Sequence, residues 1–565
     1  MAAPVKVVFL GGLGEIGRNC MVIEMNGRRL MVDCGLLFPD PGMPGVDLVL
    51  PDFSYVTEEP DLLDGCVLTH GHEDHVGALS YLLTELDRSE PLAIWGPSLA
   101  LGIARSRLEE AGVMDLARLV PMEDGARVEI GSFDVEAIPV THSVPDSNAL
   151  MIRTPQGVIF HTGDFKLDPL PVDGRLTDLA RIGEISGTEG IRLMLSDSTN
   201  ADEPGYTESE STMLERLRQL FDQYRDRRVI VTCFSSHIHR IQQVIDAARS
   251  HGRFVAALGR SMTRNISLAS QLGLLRLPEA GLVDIDAIEE LDPSKLCVIS
   301  TGSQGEPMSA LSQIASGGNK RLQLGPRDLV VLSSHPIPGN EWAVGALIDA
   351  LYRRGAEVVY WSKAVVHVSG HAKRDELRTM LGVALPDWFV PIHGEYRHLV
   401  NHRQLAQEAF VEPERALLCL DGDVLVLDDQ GVRVEASVPA GFRYVDGAMG
   451  DLAHGVLRDR RVLASEGVLV VVVGVDERTG EVVSGPEIVT KGWADEEEAA
   501  DLVASLRKGV TEALEQATRG GARETEALAG IVRQEAGRLL ARATRAAGSR
   551  AGRSRPMILP VVVAL

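Results

Sequence analysis

The run Thr69-His70-Gly71-His72-Glu73-Asp74-His75 gathers three imidazoles and the Asp74 carboxylate directly after the apolar stretch Cys66-Val67-Leu68. His70 and His72 alternate along an extended backbone and so point the same way. Asp74 and His75 follow as the chain turns into a helix-like segment that runs from His75 to Leu83. Neutral imidazole nitrogens and carboxylate oxygens are the donors that Zn²⁺ and Mn²⁺ accept, and several of them on one short loop make a tight site. A lone histidine reads as a solvated surface group; H-x-H-x-D-H after a strand reads as a metal site.

The N-terminal glycines imitate a different chemistry. Gly12-x-Gly14-x-x-Gly17 follows the strand-like Lys6-Val7-Val8-Phe9-Leu10, and Asp33 ends a later apolar run, which superficially fits a dinucleotide fingerprint. That fold needs a crossover helix between the glycines and the acid. Here Asn26-Gly27 separates two apolar runs, Cys20 to Met25 and Arg28 to Asp33, which is a hairpin signal. The cofactor reading is rejected.

The elements that must position these residues change character along the chain. To about Thr207, short strand-like runs alternate with ligand-bearing loops, the pattern of an αββα sandwich in which helices cover two packed sheets. Over 208–364 helical and apolar segments alternate as βα units of a parallel sheet do, with strands at Val229 to Cys233, Phe254 to Leu258, Cys297 to Ser300 and Leu329 to Leu332. His371 and His393 then return the chain to the first domain over 365–435, with closing strands expected at Leu417 to Leu420 and Asp423 to Leu427. A linker is expected over 436–455. The tail, 456–565, reads as a small α/β unit: strands Val468 to Val475 and Val482 to Val489, helices Glu496 to Thr518 and Arg523 to Arg545, and a last strand Met557 to Ala564. A basic stretch, Gly548 to Arg555, precedes that strand; it reads as a solvated face or a subunit contact in preference to a nucleic-acid patch.

The 565 residues are 45% hydrophobic with only 4% aromatics, so several aliphatic cores are expected. Mean hydropathy is +0.03. No signal peptide and no run approaching the roughly 20 apolar residues of a membrane span appears. The six cysteines are scattered within apolar runs and read as buried hydrophobes of a reducing, cytoplasmic compartment. A net charge of −24 argues against binding nucleic acid over a broad basic face. Divalent cations in a cleft, with a few placed arginines, can still hold phosphates.

The histidine loop resembles the signature of the metallo-β-lactamase fold. The resemblance implies that His70, His72 and His142 hold one divalent metal, that Asp74 and His75 hold a second, and that Asp164 bridges them; His161 stays outside the set. Val365 to Ala372, Phe389 to Glu395 and the acidic Asp197 are similar to late motifs of the β-CASP nucleases, which makes His393 a further ligand of the second metal. A histidine there is associated in that family with RNA cleavage. The stretches Leu10 to Gly17, Ser300 to Pro307 and Pro338 to Glu341 resemble bacterial ribonuclease J, and the likeness extends to about Ala440. One departure is Phe234-Ser235-Ser236-His237-Ile238-His239-Arg240, where that family has a smaller Ala-Ser-Asn-like segment.

Taken together, the expected fold is α/β: a metallo-β-lactamase αββα sandwich with an inserted β-CASP parallel-sheet domain and a small C-terminal α/β domain. The resemblance implies a ribonuclease acting on single-stranded, 5′-monophosphorylated RNA by 5′-to-3′ exonuclease and endonuclease cleavage, with two Zn or Mn ions per subunit. Asp74 would orient the attacking water and His371 would contact the scissile phosphate and give a proton. His367, Ser369, Gly370 and His371, with Ser235, Ser236 and His237 across the cleft, would bind substrate. A homodimer or homotetramer through the C-terminal domain, further RNA-degradation partners and an additional structural cation near Asp47 complete the expectations. Competing readings are a small-molecule hydrolase of the same fold, a non-catalytic RNA-binding subunit and a DNA nuclease. The late histidines and unbroken ligand set weigh against the first two, and His393 against the third.

Overall fold

The computed structural model describes residues 3–40, 42–306, 308–337, 339–447, 450–493, 496–547 and 555–565, so Pro307, Pro338 and most of the basic stretch, 548–554, lie outside the described residues. Two compact units result: Met1–Phe38 with Leu48–Arg443, and Pro39–Asp47 with Tyr444–Leu565.

Val5–Gly11 is buried along almost its whole length, and a strand with no polar face has to be covered on both sides. It sits inside an eight-stranded sheet, in the order Gly431–Ser437, Asp423–Asp428, Val5–Gly11, Cys20–Met25, Arg28–Val32, Leu63–Val67, Leu92–Gly96 and Ala117–Pro121. Asn26 and Gly27 both take positive φ, 54° and 71°, and close the antiparallel hairpin between Cys20–Met25 and Arg28–Val32. A six-stranded sheet faces it, running Trp388–Ile392, Ile191–Asp197, Gly157–His161, Asn148–Thr154, Phe133–Pro139 and Arg127–Ile130. Val7, Phe9, Ile23 and Val32 meet Val135, Ile152, Leu193 and Val390 in the core between them. Helices Leu179–Thr188, Arg374–Ala384 and Tyr396–Ala409 bury Ile185, Met380 and Leu405 on the outer face of the second sheet. Helix Ser98–Glu110 packs against the strands at the far edge of the first.

The insert is a five-stranded, all-parallel sheet in the order Phe254–Leu258, Leu296–Ser300, Arg228–Thr232, Asp328–Leu332 and Glu357–Val359. The chain re-enters the sandwich after Ala364, and Trp388–Ile392 pairs in parallel with Ile191–Asp197. Leu417 to Leu420 forms no strand. Leu417 N donates to the Phe389 carbonyl, and the chain then turns at Leu420, whose amide donates to Asp423 Oδ2 at 2.8 Å. Leu417 and Leu418 pack against the core instead of pairing.

In the second unit, Val468–Val475 pairs antiparallel with Val482–Lys491 and parallel with Met557–Ala564. Its inward residues Leu469, Val471 and Val473 meet Leu506, Val510, Leu528 and Val532 of helices Glu496–Arg519 and Thr525–Ala547. Part of the stretch read as a linker is structured: Tyr444 to Asp446 pairs with Gly450–Leu452, and helix His454–Glu466 follows.

Arg240 ties the insert to the points where the chain crosses between sandwich and insert. It is wholly buried. Its Nε donates to Glu210 Oε1 at 2.9 Å, beside the outgoing crossing, and its Nη1 donates to the Val366 carbonyl at 2.8 Å, beside the returning one. Nη1 also donates to the Ser333 hydroxyl. Removing the guanidinium would leave Glu210 buried without its counter-charge, a loss of about 3–5 kcal/mol. Arg240→Ala is expected to reduce stability on that scale in chemical denaturation. Arg240→Lys should recover only part of it, because an ammonium lacks the planar fork that reaches both crossings.

Candidate metal centre

Every functional side chain leaves the end of a strand in one of the two facing sheets, or the loop that returns from the insert. His70, His72, Asp74 and His75 follow Leu63–Val67, His142 follows Phe133–Pro139, Asp164 follows Gly157–His161, Asp197 ends Ile191–Asp197, and His393 follows Trp388–Ile392. His371 lies just before helix Arg374–Ala384. Residues scattered over more than three hundred positions therefore meet at one rim.

Their donor atoms form overlapping groups: His70, His72, His142 and Asp164; Asp74, His75, Asp164 and His393; and Asp164, Asp197, His371 and His393. In the first, His72 Nδ1 lies 3.1 Å from His70 Nε2 and 3.2 Å from His142 Nε2. In the second, His393 Nε2 is 3.2 Å from Asp74 Oδ2, and His75 Nε2 is 3.3 Å from Asp164 Oδ2. Ligands about 2.0–2.1 Å from a common tetrahedral ion sit roughly 3.3 Å from one another. The donor set fits divalent cations. Asp164 Oδ2 provides a second test: it is buried and accepts no hydrogen bond from the described residues.

The far side of each ring is held. His75 Nδ1 donates to Asp33 Oδ2 at 2.8 Å, and His142 Nδ1 donates to the Gly370 carbonyl at 2.8 Å. His70 Nδ1 lies 3.0 Å from Thr69 Oγ1 and His393 Nδ1 lies 2.9 Å from Thr199 Oγ1; these hydroxyls in turn donate to Asp33 and Asp197, each at 2.8 Å. With the proton fixed on Nδ1, the Nε2 lone pair of all four rings is left for the centre, as metal-binding histidines require. A Cβ on Gly370 would come within 2.7 Å of the His142 ring, and one on Gly35 within 1.6 Å of the Asp74 carbonyl, so both backbones approach as only glycine allows.

Electrostatics divide the site. Burial holds His70 and His142 well below the ordinary histidine range and His72 at about 4, so these rings are neutral donors. Burial works the same way on His393, but Asp164, Asp197 and Asp74 outweigh it and raise the ring to about 10. His75 and His371 are raised against burial, by Asp164 and Asp33 in one case and Asp197 in the other. Burial would raise Asp164 and Asp74, yet the surrounding histidines hold both below the usual carboxylate range. A field that keeps protons on buried imidazoles is the field a cation would meet.

The substrate residues expected from the sequence separate into two places. His371 stands at the centre, its Nδ1 donating to Asp197 Oδ2 at 2.8 Å and its ring 5.0 Å from that of His142. Ser369 Oγ accepts from Asn200 Nδ2 at 2.9 Å, and Gly370 lies against His142. Ser235, Ser236 and His237 occupy the turn between Arg228–Thr232 and helix Ile238–Ser250. His367 does not join the donor groups, and its ring faces His237 and His335. Asp47 accepts from the Gly447 amide and belongs to none of the donor groups among the described residues. Asp33, Thr69 and Thr199 were missed as functional residues. In the sequence Asp33 stands only in a false fingerprint, although its place directly after a strand resembles that of the other acids.

Fold and donor set define a metal-dependent hydrolase of the metallo-β-lactamase superfamily with a β-CASP insert. Residues 28–232 match the beta-lactamase superfamily domain, 226–351 the ribonuclease J beta-CASP domain, 357–414 the Zn-dependent metallo-hydrolase RNA specificity domain and 455–565 the ribonuclease J C-terminal domain. The chain belongs to the ribonuclease J family and is a metal-dependent ribonuclease. It is 40% identical to ribonuclease J of Thermus thermophilus over 566 residues, 99% of this chain and 95% of that one. Identity is also 40% to ribonuclease J of Mycobacterium tuberculosis (99% and 97% covered) and 41% to that of Synechocystis (86% and 75% covered). A crystal structure of an Enterococcus faecalis protein of unknown function shares the fold, with a TM-score of 0.53 at 17% identity, covering 75% of this chain and 100% of that one.

Asp33 touches the donor set through His75 and Thr69, so its removal tests the outer support directly. Asp33→Ala is expected to weaken metal binding about 10- to 100-fold, measured by calorimetric titration of the metal-stripped protein.

Proposed function

We propose that this ribonuclease hydrolyses phosphodiesters of single-stranded RNA at a two-metal centre, removing nucleotides from a 5′-monophosphorylated end and also cutting internally. The observation that carries the two-metal reading is Asp164, a buried carboxylate common to the His70-His72-His142 group and the Asp74-His75-His393 group, with one oxygen that takes no donor from the described residues. His70, His72 and His142 would hold one divalent ion, Zn or Mn; Asp74, His75 and His393 would hold the other. Such ions lower the pKa of water and neutralise the phosphate.

The chain's own groups do the rest. Asp74 is the most open of the donor carboxylates, its side chain 27% exposed against 2% for Asp164, so it can accept a hydrogen bond from the attacking water and aim it. His371 is fixed by Asp197 with its other nitrogen free, in position to donate a proton to the departing oxygen. The turn at Ser235 to His237 and the loop Ser369 to His371 offer short hydroxyls and backbone amides to a terminal phosphate. We assign the activity to RNA maturation and decay in the cytoplasm. No helix among the described residues is long and apolar enough to cross a membrane, and the six cysteines are buried and unpaired.

Self-association is read from the second unit. Helices cover one face of its sheet, while Leu559, Val561 and Val563 are exposed on alternate positions of the last strand. Contiguous apolar surface of this kind marks an interaction site, and we assign it to a homodimer or homotetramer. Val561→Glu is expected to lower the mass seen by sedimentation equilibrium, and an unchanged mass would place the interface elsewhere.

The central test uses 5′-labelled, unstructured RNA bearing a mono- or triphosphate, with Mn²⁺ or Zn²⁺. Labelled mononucleotide should appear rapidly from the monophosphate form, disappear with chelator, and be lost in His72→Ala. Equal cleavage of matched DNA, or intact RNA with both metals, would overturn the reading.

A further inference from the structure

All five strands of the insert are parallel, so their carboxyl ends lie along one edge. Open parallel sheets bind ligands in the crevice outside that edge. Two of the loops leaving it carry rings: His335 follows Asp328–Leu332, and Tyr360 and Trp361 follow Glu357–Val359. These rings make a continuous row with His367. Centroids of His367 and His335 are 5.2 Å apart, those of His335 and Trp361 are 6.0 Å apart at an interplanar angle of 35°, and Tyr360 stands 5.3 Å from Trp361. At its inner end the row reaches His237, 6.4 Å from His367, and the chain continues from His367 into the Ser369-Gly370-His371 loop of the metal centre.

Two features suit this row to a ligand. Trp361 packs on one side against the core of the insert yet is not covered, so its ring is fixed in advance; His335 is exposed beside it. His367 Nδ1 is buried with no partner among the described residues, an unspent polar atom within the row. Desolvation holds His367 well below the usual histidine range, and partial desolvation beside Trp361 lowers His335 as well, so at neutral pH both imidazoles are uncharged. Uncharged rings are poor phosphate clamps and good partners for nucleobases, every one of which offers a π-face.

We propose that Trp361, His335 and His367 form a stacking platform for bases of the unpaired RNA strand at the metal centre. The proposal rests on the ribonuclease reading above and adds a means of gripping RNA that does not depend on charge. It narrows the expected role of His367 from substrate binding in general to base contact.

The test is steady-state cleavage of a short, unstructured, 5′-monophosphorylated RNA by the full chain with Mn²⁺, beside the same RNA carrying abasic sites. Trp361→Ala should raise KM for the intact RNA about tenfold, the scale of one base–aromatic stack, with kcat, metal affinity and thermal midpoint unchanged. Trp361→Phe should restore most of the loss. Abasic RNA should bind wild type as poorly as intact RNA binds Trp361→Ala, and the substitution should then cost nothing more. A KM for intact RNA that stays within about twofold, or an equal loss on intact and abasic RNA, would overturn the platform. So would a fall in metal affinity or thermal midpoint matching the loss, since a structural tryptophan would behave that way. Absence of any RNA cleavage by wild type would instead overturn the ribonuclease reading itself.

Discussion

Asp164 is the constraint around which the first unit is arranged. Its side chain is 2% exposed, and one of its oxygens lies within 4.0 Å of nitrogens from His70, His75, His142 and His371 without receiving a hydrogen bond. A carboxylate taken out of water and left unpaired costs several kcal/mol, so the fold is complete only when positive charge sits beside it. The rest of the rim answers that requirement. Four rings turn their Nε2 atoms inward because Asp33, Thr69, Gly370 and Thr199 hold the opposite nitrogens. Asp33 and His393 adopt positive φ, 58° and 50°, conformations rare for residues with a side chain, and both sit where a strand hands its residue to the centre. Strain is tolerated there because two packed sheets fix the strand ends on either side.

The insert belongs to the same arrangement. It leaves the sandwich after Asp197 has been placed and returns just before His371 and His393, so the second sheet is finished by a strand, Trp388–Ile392, that cannot pair until the insert has been traversed. Arg240 makes this economical, since one guanidinium joins the outgoing crossing to the returning one. The position of His371, whose proton is held by Asp197 from the other side of the excursion, thus depends on an interaction built by the insert.

Much of this was legible in the sequence because the chemistry is dense and local. The loop from His70 to His75 declares itself, and His142, Asp164 and His393 each follow an apolar run that could only be a strand. The Asn26-Gly27 hairpin was enough to dismiss the nucleotide-binding imitation. In the tail, the continuous apolar runs Val468 to Val475 and Met557 to Ala564 are both found as the strands expected. What was not legible was long-range geometry. Asp33 has the sequence context of a strand end and nothing to say that its partner is His75. The apolar run Leu417 to Leu420 looks like a strand, but an aspartate three residues on caps a turn there, and tertiary packing overrides propensity. His367 stands in a motif that resemblance ties to substrate binding, while its place among His237 and His335 is a property of the fold alone.

The net charge of −24 then takes on meaning. A polyanionic substrate must be held by a polyanionic protein, and the arginines near the rim are largely committed: Arg107 to Glu73, Arg240 to Glu210, Arg374 to Glu408. Attraction to phosphate is therefore concentrated where divalent ions would sit, over a distance set by a Debye length of about 8 Å in physiological salt. Beyond that reach, RNA meets a surface that on average repels it. Any grip on the rest of the strand has to come from contacts indifferent to charge. An uncharged row of rings along the carboxyl edge of the insert supplies such contacts, and it ends against the loop that carries His371. On this view the division between sandwich and insert is a division of forces: ions act on the phosphate being cut, and ring faces act on the bases that bring it there.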